Sequence, residues 1–387
     1  MVDSWHNRWV MLYLDHAATT PMRPEVWEAM SPYAGTIYGN ASGSHAAARS
    51  AKNALEEARE RVAAVLGAQP LEIVFTGGGT ESDNLAVQGA ALAGGGRGGI
   101  VTTAVEHEAV LETAAFLAEL GCPVRIVGVD VMGVVDPEEV AAAVDEDTAI
   151  VSVMAANNET GVVQPIRRVS EAVRTRRSSV LLHTDAVQSF ISQELKVDDL
   201  GVDMLSLAAH KFGGPKGAGL LYVRSGVGLK PVLHGGGQEL GRRSGTHNVM
   251  GAVGLATAME LTAADRPRFN ADVGAARQSF EEGLRRRIPE LEVNAPLDGR
   301  LVQHSHLRIP GVRNETLLVR LDQRGLAVAT GSSCQSGAAT ISHVLAAMGF
   351  DDRRARECLR FSFGWTTRPE DGDSAAALVA DAVETLR

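Results

Sequence analysis

The 387-residue chain reads as an α/β protein built on a mostly parallel sheet. Two observations predict this. Seven short runs rich in β-branched residues recur between residues 72 and 225, each separated from the next by a turn or a helical spacing. The composition is rich in Ala, Gly and Val, with only 4% aromatic residues. Such alternation implies strands joined by crossover helices that cover both sheet faces.

The strand runs are "EIVFT" (72–76), "GIVTTAV" (99–105), "PVRIVGVD" (123–130), "AIVSVMAA" (149–156), "SVLLHTDAV" (179–187), "MLSLAAHK" (204–211) and "GLLYVRS" (219–225). Before them, residues 46–66 place Leu55, Ala58, Val62, Val65 and Leu66 on one helical face, and Gly67 supplies the stop. A chain this long exceeds one simple core, so a large domain and a smaller one are expected. After "RSGTHNVMGAVGLATAMEL", the stretch "DRPRFN" leads into a long charged helix, which puts the boundary near 262. The expected domains are an N-terminal segment, 1–18, packing with the small domain, a large domain, 19–262, and a small α+β domain, 263–387.

A net charge of −10 gives no overall electrostatic reason to bind nucleic acid. Three widely spaced cysteines without a C-x-x-C pair suggest neither a disulfide framework nor a zinc site. The "QHSH" stretch at 303–306 lacks further ligands, so no metal is expected. The first residues have no continuous apolar core, and no later run approaches the roughly 20 apolar residues that span a bilayer. The expected setting is cytoplasmic, away from membranes.

In open α/β sheets the ligand lies outside the carboxyl ends of the strands, so the chemistry is sought there. "EIVFTGGGTESDN" runs from strand through a glycine turn into a helix, and the bare N–H groups at Gly79 and Thr80 suit either a phosphate or a plain tight turn. Asp185 ends an apolar strand with Gln188 three residues on, so it either pairs with a cation or caps the next helix. His107 and Asn158 follow two other strands, and each is equally at home in a turn or helix start. In "SLAAHKFGGPKG", Lys211 follows an apolar strand and His210, a setting that lowers an amine's pKa and makes it a nucleophile and base. Lysine, aspartate and phosphate cradle together are the set that pyridoxal 5′-phosphate requires. "GSSCQSG", 331–337, holds Cys334 between serines and glycines, either as a reactive thiol or as a small buried residue.

With these elements assembled, the sequence resembles the NifS/IscS-type cysteine desulfurases, which are fold-type I pyridoxal-phosphate enzymes. "GGGTESDN", "EHEAV", "NNETGVVQP", "TDAVQS", "HKFGGPKG", "HGGGQELGRRSGT" and "SSCQSG" before "SHVL" all occur in family order. The resemblance implies a mostly parallel seven-stranded sheet in the large domain. It implies that Lys211 holds the cofactor, His107 stacks on its ring, Asp185 pairs with the pyridine nitrogen, and Gln188 and Asn158 lie near the ring oxygen. Gly79 and Thr80 would bind the phosphate with His210 nearby, and Thr246 would reach the other subunit's phosphate in a homodimer with shared active sites. Arg360 would take the substrate carboxylate, assisted by Asn40. Cys334 would accept sulfur from L-cysteine as a persulfide, leaving L-alanine, and pass it to an acceptor protein.

The sequence departs from the family at Ala208, where serine is usual and its hydroxyl helps bind phosphate. Ala41 and Ile341 replace common prolines, and Trp365 stands where arginine is frequent. The family's longer C-terminal tail is also missing, which leaves the acceptor open among iron–sulfur assembly, tRNA thiolation and DNA phosphorothioation. Competing readings are a selenocysteine lyase or another class V aminotransferase, which would make alanine without Cys334, and a non-catalytic binding partner of the same fold. Cys122 and Cys358 have no comparable setting and read as structural.

Overall fold

The computed structural model describes residues 11–296, 298–331 and 341–387. Within the larger unit, comprising residues 20–157 and 162–266, the seven strands are β1 (Ile73–Thr76), β2 (Gly99–Thr103), β3 (Val124–Val127), β4 (Thr148–Ser152), β5 (Leu181–Asp185), β6 (Met204–Ala208) and β7 (Gly219–Val223). They form one sheet in the order β1-β7-β6-β5-β4-β2-β3. Parallel pairing joins β6, β5, β4, β2 and β3, whereas β7 runs antiparallel to both β6 and β1. Every expected run became a strand, and the α/β class holds with one reversed strand.

The core of this unit packs Val74, Ile100, Ile150, Met204 and Leu221 of the sheet against Leu85, Val87 and Ala90 of the helix Gly79–Ala91. Each large aliphatic side chain removed from water there contributes about 1.5–3 kcal/mol. Cys122 belongs to the same cluster. The helix Ala46–Leu66 ends where expected, because Gly67 adopts the left-handed conformation (φ 69°) and its N–H closes the last turn on Ala63 and Ala64.

The helix expected after "DRPRFN" instead starts well before it and runs unbroken from Val249 to Arg287, with Pro267 inside. An internal proline costs a helix about 3 kcal/mol. Contacts just ahead of it offset that loss. Thr262 donates to the Phe212 carbonyl, and Arg266 donates to the Phe190 carbonyl while its guanidinium lies 5.3 Å above the Phe190 ring.

The smaller unit contains residues 11–19, 158–161 and the described part of 267–387. Its three-stranded antiparallel sheet places His304–Arg308 between Cys358–Ser362 and Glu292–Val293. Leu12–Tyr13 pairs in parallel with Leu326–Ala327. Phe280 lies 4.8 Å from the Phe361 ring and 5.7 Å from the Phe363 ring, anchoring its helix to the sheet. Cys358 is buried, donates to the Arg354 carbonyl, and its thiol is pushed up to about 12 by burial, so it is an inert core residue. No described helix is long and apolar enough to cross a membrane.

Candidate active site

Residues two apart on a strand share a face. On the face covered by the helix Gly79–Ala91, the strands therefore begin apolar and end polar: Ile100 precedes Thr102, Ile150 precedes Ser152, Leu181 precedes His183 and Asp185, and Met204 precedes Ser206. The carboxyl edge of the sheet thus carries buried polar groups that must be paired to be tolerated.

At the end of β1 the chain turns through Gly77–Gly79. Gly78 takes φ 155°, which other residues avoid, and a Cβ on Gly219 of the adjoining strand would stand only 2.6 Å from the Gly78 Cα. Only glycines bring these two backbones so close. Gly78 caps the following helix without a side-chain acceptor, so the cap leaves the helix's first N–H groups for an anion. Glu81 braces the turn, accepting from the Gly77 N–H at 2.7 Å and from Arg243 Nε at 2.7 Å. Ala208 faces the turn as well: its Cβ is 3.5 Å from the place a Cβ on Gly79 would occupy.

Asp185 is buried at the end of β5. Burial pushes its carboxyl up, while the neighbouring His107, a hydrogen bond from the Val187 N–H and Lys211 pull it down. These three residues, from three strand ends, thus meet electrostatically. His107 opens the helix Glu108–Glu119, and its Nδ1 accepts from the Ala109 N–H at 3.0 Å, which leaves the ring proton on Nε2. His210 and Lys211 lie in a single 3-10 turn after β6. That turn is tied down by Thr20, whose N–H and hydroxyl both donate to the His210 carbonyl. Burial and the neighbouring Lys211 and Lys216 charges push the His210 ring down to about 4, so it is neutral. Gln188 is buried one turn after Asp185. Thr80, Asn40 and Thr246 are exposed, and the Asn40 carboxamide accepts from the Ser42 N–H.

Asn158 and Arg360 belong to the smaller unit. The Arg360 side chain is 3% exposed and pairs with Asp15 at 2.7 Å. Its other terminal nitrogen donates to the carbonyls of Asn158 (2.9 Å) and Gly331 (3.3 Å). Its Nε is buried with no acceptor among the described residues. Nearby, Glu159 accepts from the Ser342 hydroxyl at 2.7 Å, and burial pushes its carboxyl up to about 7 against the Arg360 charge. Cys334 lies outside the described residues.

Several of these groups had no sequence signal strong enough to single them out. Asp83, Glu106, Glu159 and His183 stand inside the quoted motifs, and Asp15 lies near the start of the chain, yet a lone acid or histidine at a strand or helix start reads as a solvated group until its neighbours are known. Glu106 is fully buried, accepts from the Thr103 hydroxyl (2.6 Å) and the Met154 N–H (3.0 Å), and is pushed up to about 8 by burial.

The aminotransferase class-V family model matches residues 12–374. The cysteine desulfurase IscS of Dictyoglomus turgidum is 41% identical over 377 residues, covering 97% of this chain and 95% of its own. A solved NifS-like protein superposes with a TM-score of 0.91 at 38% identity, covering 97% of this chain and all of the other. The solved structure of SspA in complex with cysteine gives a TM-score of 0.81 at 35% identity over 92% of this chain and 99% of that one. Fold, motif order and full-length similarity agree, and the chain belongs to the aminotransferase class-V family, among its IscS- and NifS-like cysteine desulfurases.

Proposed function

We propose that this protein converts L-cysteine to L-alanine with pyridoxal 5′-phosphate as its cofactor and hands the sulfur, as a persulfide on Cys334, to an acceptor protein. The observation that carries the reading is Asp185, a buried carboxyl at a strand end that burial pushes up and that the neighbouring His107 and Lys211 pull down. That arrangement suits a group with a protonated ring nitrogen and an aldehyde. The donor set fits throughout: Lys211 for the covalent link, Asp185 for the ring nitrogen, and the glycine turn at Gly79 and Thr80 for the phosphate. His210 and, from a second copy in a homodimer, Thr246 complete the phosphate's surroundings. Gln188 and Asn158 serve the ring oxygen and His107 the ring face.

When bound, the cofactor supplies an electron sink for the substrate's Cα. Lys211, once released from the cofactor, carries the Cα proton as a base. Arg360 receives the substrate carboxylate, assisted by Asn40. A guanidinium that already holds Asp15 and two carbonyls is fixed in place, and its buried Nε still has a proton to offer. The His107 proton on Nε2 is available to the substrate sulfur or to the leaving carbon. The Cys334 thiolate then forms a bond to the substrate sulfur as the Cβ–S bond breaks, and the carbon skeleton takes up a proton to leave as alanine.

The test uses cysteine carrying labelled sulfur. Wild type should become labelled on Cys334 and pass label to co-expressed protein. Cys334→Ala should keep the visible absorbance of lysine-bound cofactor but lose both labelling steps, and Lys211→Ala should lose the absorbance as well. Unchanged alanine formation by Cys334→Ala would favour a selenocysteine lyase or aminotransferase instead. Wild type that never develops the absorbance with added cofactor would point to a non-catalytic binding protein.

A further inference from the structure

Asp83, Glu106 and Asp185 place three carboxyls beneath the same strand ends, at 1%, 0% and 6% exposure. Like charges this close in a buried setting cannot all ionise. Of the three, Asp185 is the one that the neighbouring His107 and Lys211 pull down. Glu106 accepts from the Thr103 hydroxyl and the Met154 N–H. Asp83, one turn into the helix Gly79–Ala91, is hydrogen-bonded to Ser206, and its Oδ1 stands 3.7 Å from His183 Nε2 without a hydrogen-bond partner among the described residues. His183 offers no charge, because burial pushes its ring down to about 3. Burial and the nearby Asp185 and Glu106 charges push Asp83 well above the ordinary carboxylate range.

These groups form a continuous chain. Asp83 meets Ser206, Ser206 Oγ lies 2.9 Å from His183 Nε2, and His183 Nδ1 lies 2.8 Å from Ser152 Oγ. Ser206 is the cross-strand partner of Asp185, and His183 sits two residues before Asp185 on the same face. The chain therefore backs the strand pair that carries Asp185. It can run in only two directions, because each hydroxyl has one proton and a neutral imidazole has one. If Asp83 holds a proton on the oxygen that meets Ser206, it donates to Ser206, Ser206 donates to His183 Nε2, and His183 donates from Nδ1 to Ser152. If Asp83 is ionised, every bond reverses and the His183 proton sits on Nε2.

We propose that Asp83 is a protonated positioning residue that sets the direction of the Ser206–His183–Ser152 chain and so leaves Asp185 as the carboxylate of this cluster that carries charge. The inference deepens the reading in which Asp185 faces the cofactor's ring nitrogen. It assigns the neutral tautomer of His183 as the visible consequence: Nδ1 protonated, Nε2 bare. An asparagine at 83 can donate to Ser206 as the acid does, whereas alanine cannot.

The experiment records nitrogen NMR of protein with 15N-labelled histidine, free of cofactor and at neutral pH, with His183→Asn identifying the signal. The expected result is an Nδ1-protonated His183 in wild type and in Asp83→Asn, lost in Asp83→Ala. An Nε2-protonated His183 in wild type overturns the proposal. The second readout is titration with pyridoxal phosphate. Asp83→Asn should bind it within about twofold of wild type, and the pH at which the lysine-bound absorbance changes should stay put. Asp83→Ala should bind roughly tenfold more weakly, the scale of one lost buried hydrogen bond. A shift of a unit or more in that pH for Asp83→Asn would mean that a charge had been removed, and overturns the proposal, as does unaltered Asp83→Ala. Should Asp83→Ala not fold, Ser206→Ala breaks the same chain and carries the same expectations. Wild type that shows no absorbance with cofactor sinks the cofactor reading alone, and the histidine tautomer still decides the inference.

Discussion

Replacing Glu239 by glutamine tests how the loop that precedes Thr246 is held. Glu239 and Leu240 both adopt left-handed backbone, with φ of 49° and 57°. Such strain at non-glycine residues costs about 1–3 kcal/mol each and persists only where the surroundings enforce it. The enforcement comes from the Glu239 side chain, 2% exposed. It accepts from Arg59 at 2.7 and 2.9 Å and from the Phe75 N–H at 3.0 Å, and it lies 3.2 Å from His247. Burial alone would raise this carboxyl, but the hydrogen bonds to His247 and Arg59 and the Arg59 charge bring it down from the usual 4.5 to about 2. That difference corresponds to about 3 kcal/mol of stability. Because the folded-state value is depressed, the contribution is fully present above pH 4.5 and is lost as the pH falls toward 2. Glu239→Gln keeps the volume and removes the charge, leaving Arg59 with the more exposed Glu56 carboxylate, 3.1 Å from its Nε. Denaturant unfolding of the cofactor-free protein at pH 7 should show a loss of about 3 kcal/mol, narrowing steadily as both proteins are taken below pH 4.5. A difference under about 1 kcal/mol at pH 7, or one that does not change with pH, would refute the argument that this buried pair holds the loop.

The remaining expectations are more direct. Glu106 is raised from the usual 4.5 to about 8 by burial, so the folded protein retains a proton that the unfolded chain releases. Stability should therefore fall by up to about 1.4 kcal/mol per pH unit from this group between pH 4.5 and 8, and Glu106→Gln should flatten that slope in unfolding curves. Ala208→Ser puts a hydroxyl beside the Gly79 turn and should tighten pyridoxal phosphate about tenfold in equilibrium dialysis, the scale of one hydrogen bond to a charged group. Unchanged affinity would place the phosphate elsewhere. Arg360→Lys loses the fork that reaches Asp15, Asn158 and Gly331 together. The Michaelis constant for cysteine should rise by about 100-fold with the lysine-bound absorbance unaltered, in line with the 2–3 kcal/mol of a charged hydrogen-bonded pair.

Local spacing carried much of the architecture. The seven β-branched runs mark all seven strands of the large sheet because each needs only its own side-chain alternation and a turn at each end. Gly67 marks a helix end because the left-handed cap is a property of one residue. The motif at Gly78 and Gly79 announced a close backbone turn for the same reason. Direction and partnership were not legible in this way. A strand's residues alternate identically whether it runs parallel or antiparallel, so the reversal of β7 depends on which neighbours it meets. Pro267 reads as a break until Arg266 and Thr262 are seen bound to a segment far back in the chain. Arg360 finds Asp15 across 345 positions. Asn158–Gly161 leaves the strand before it to join the smaller unit. Residue types at the strand ends determined which chemistry this protein carries. The tertiary structure alone decided which of its acids are buried together, because the free energy of a carboxyl depends on the water and charges that packing brings or removes, and no residue's own sequence neighbourhood specifies those.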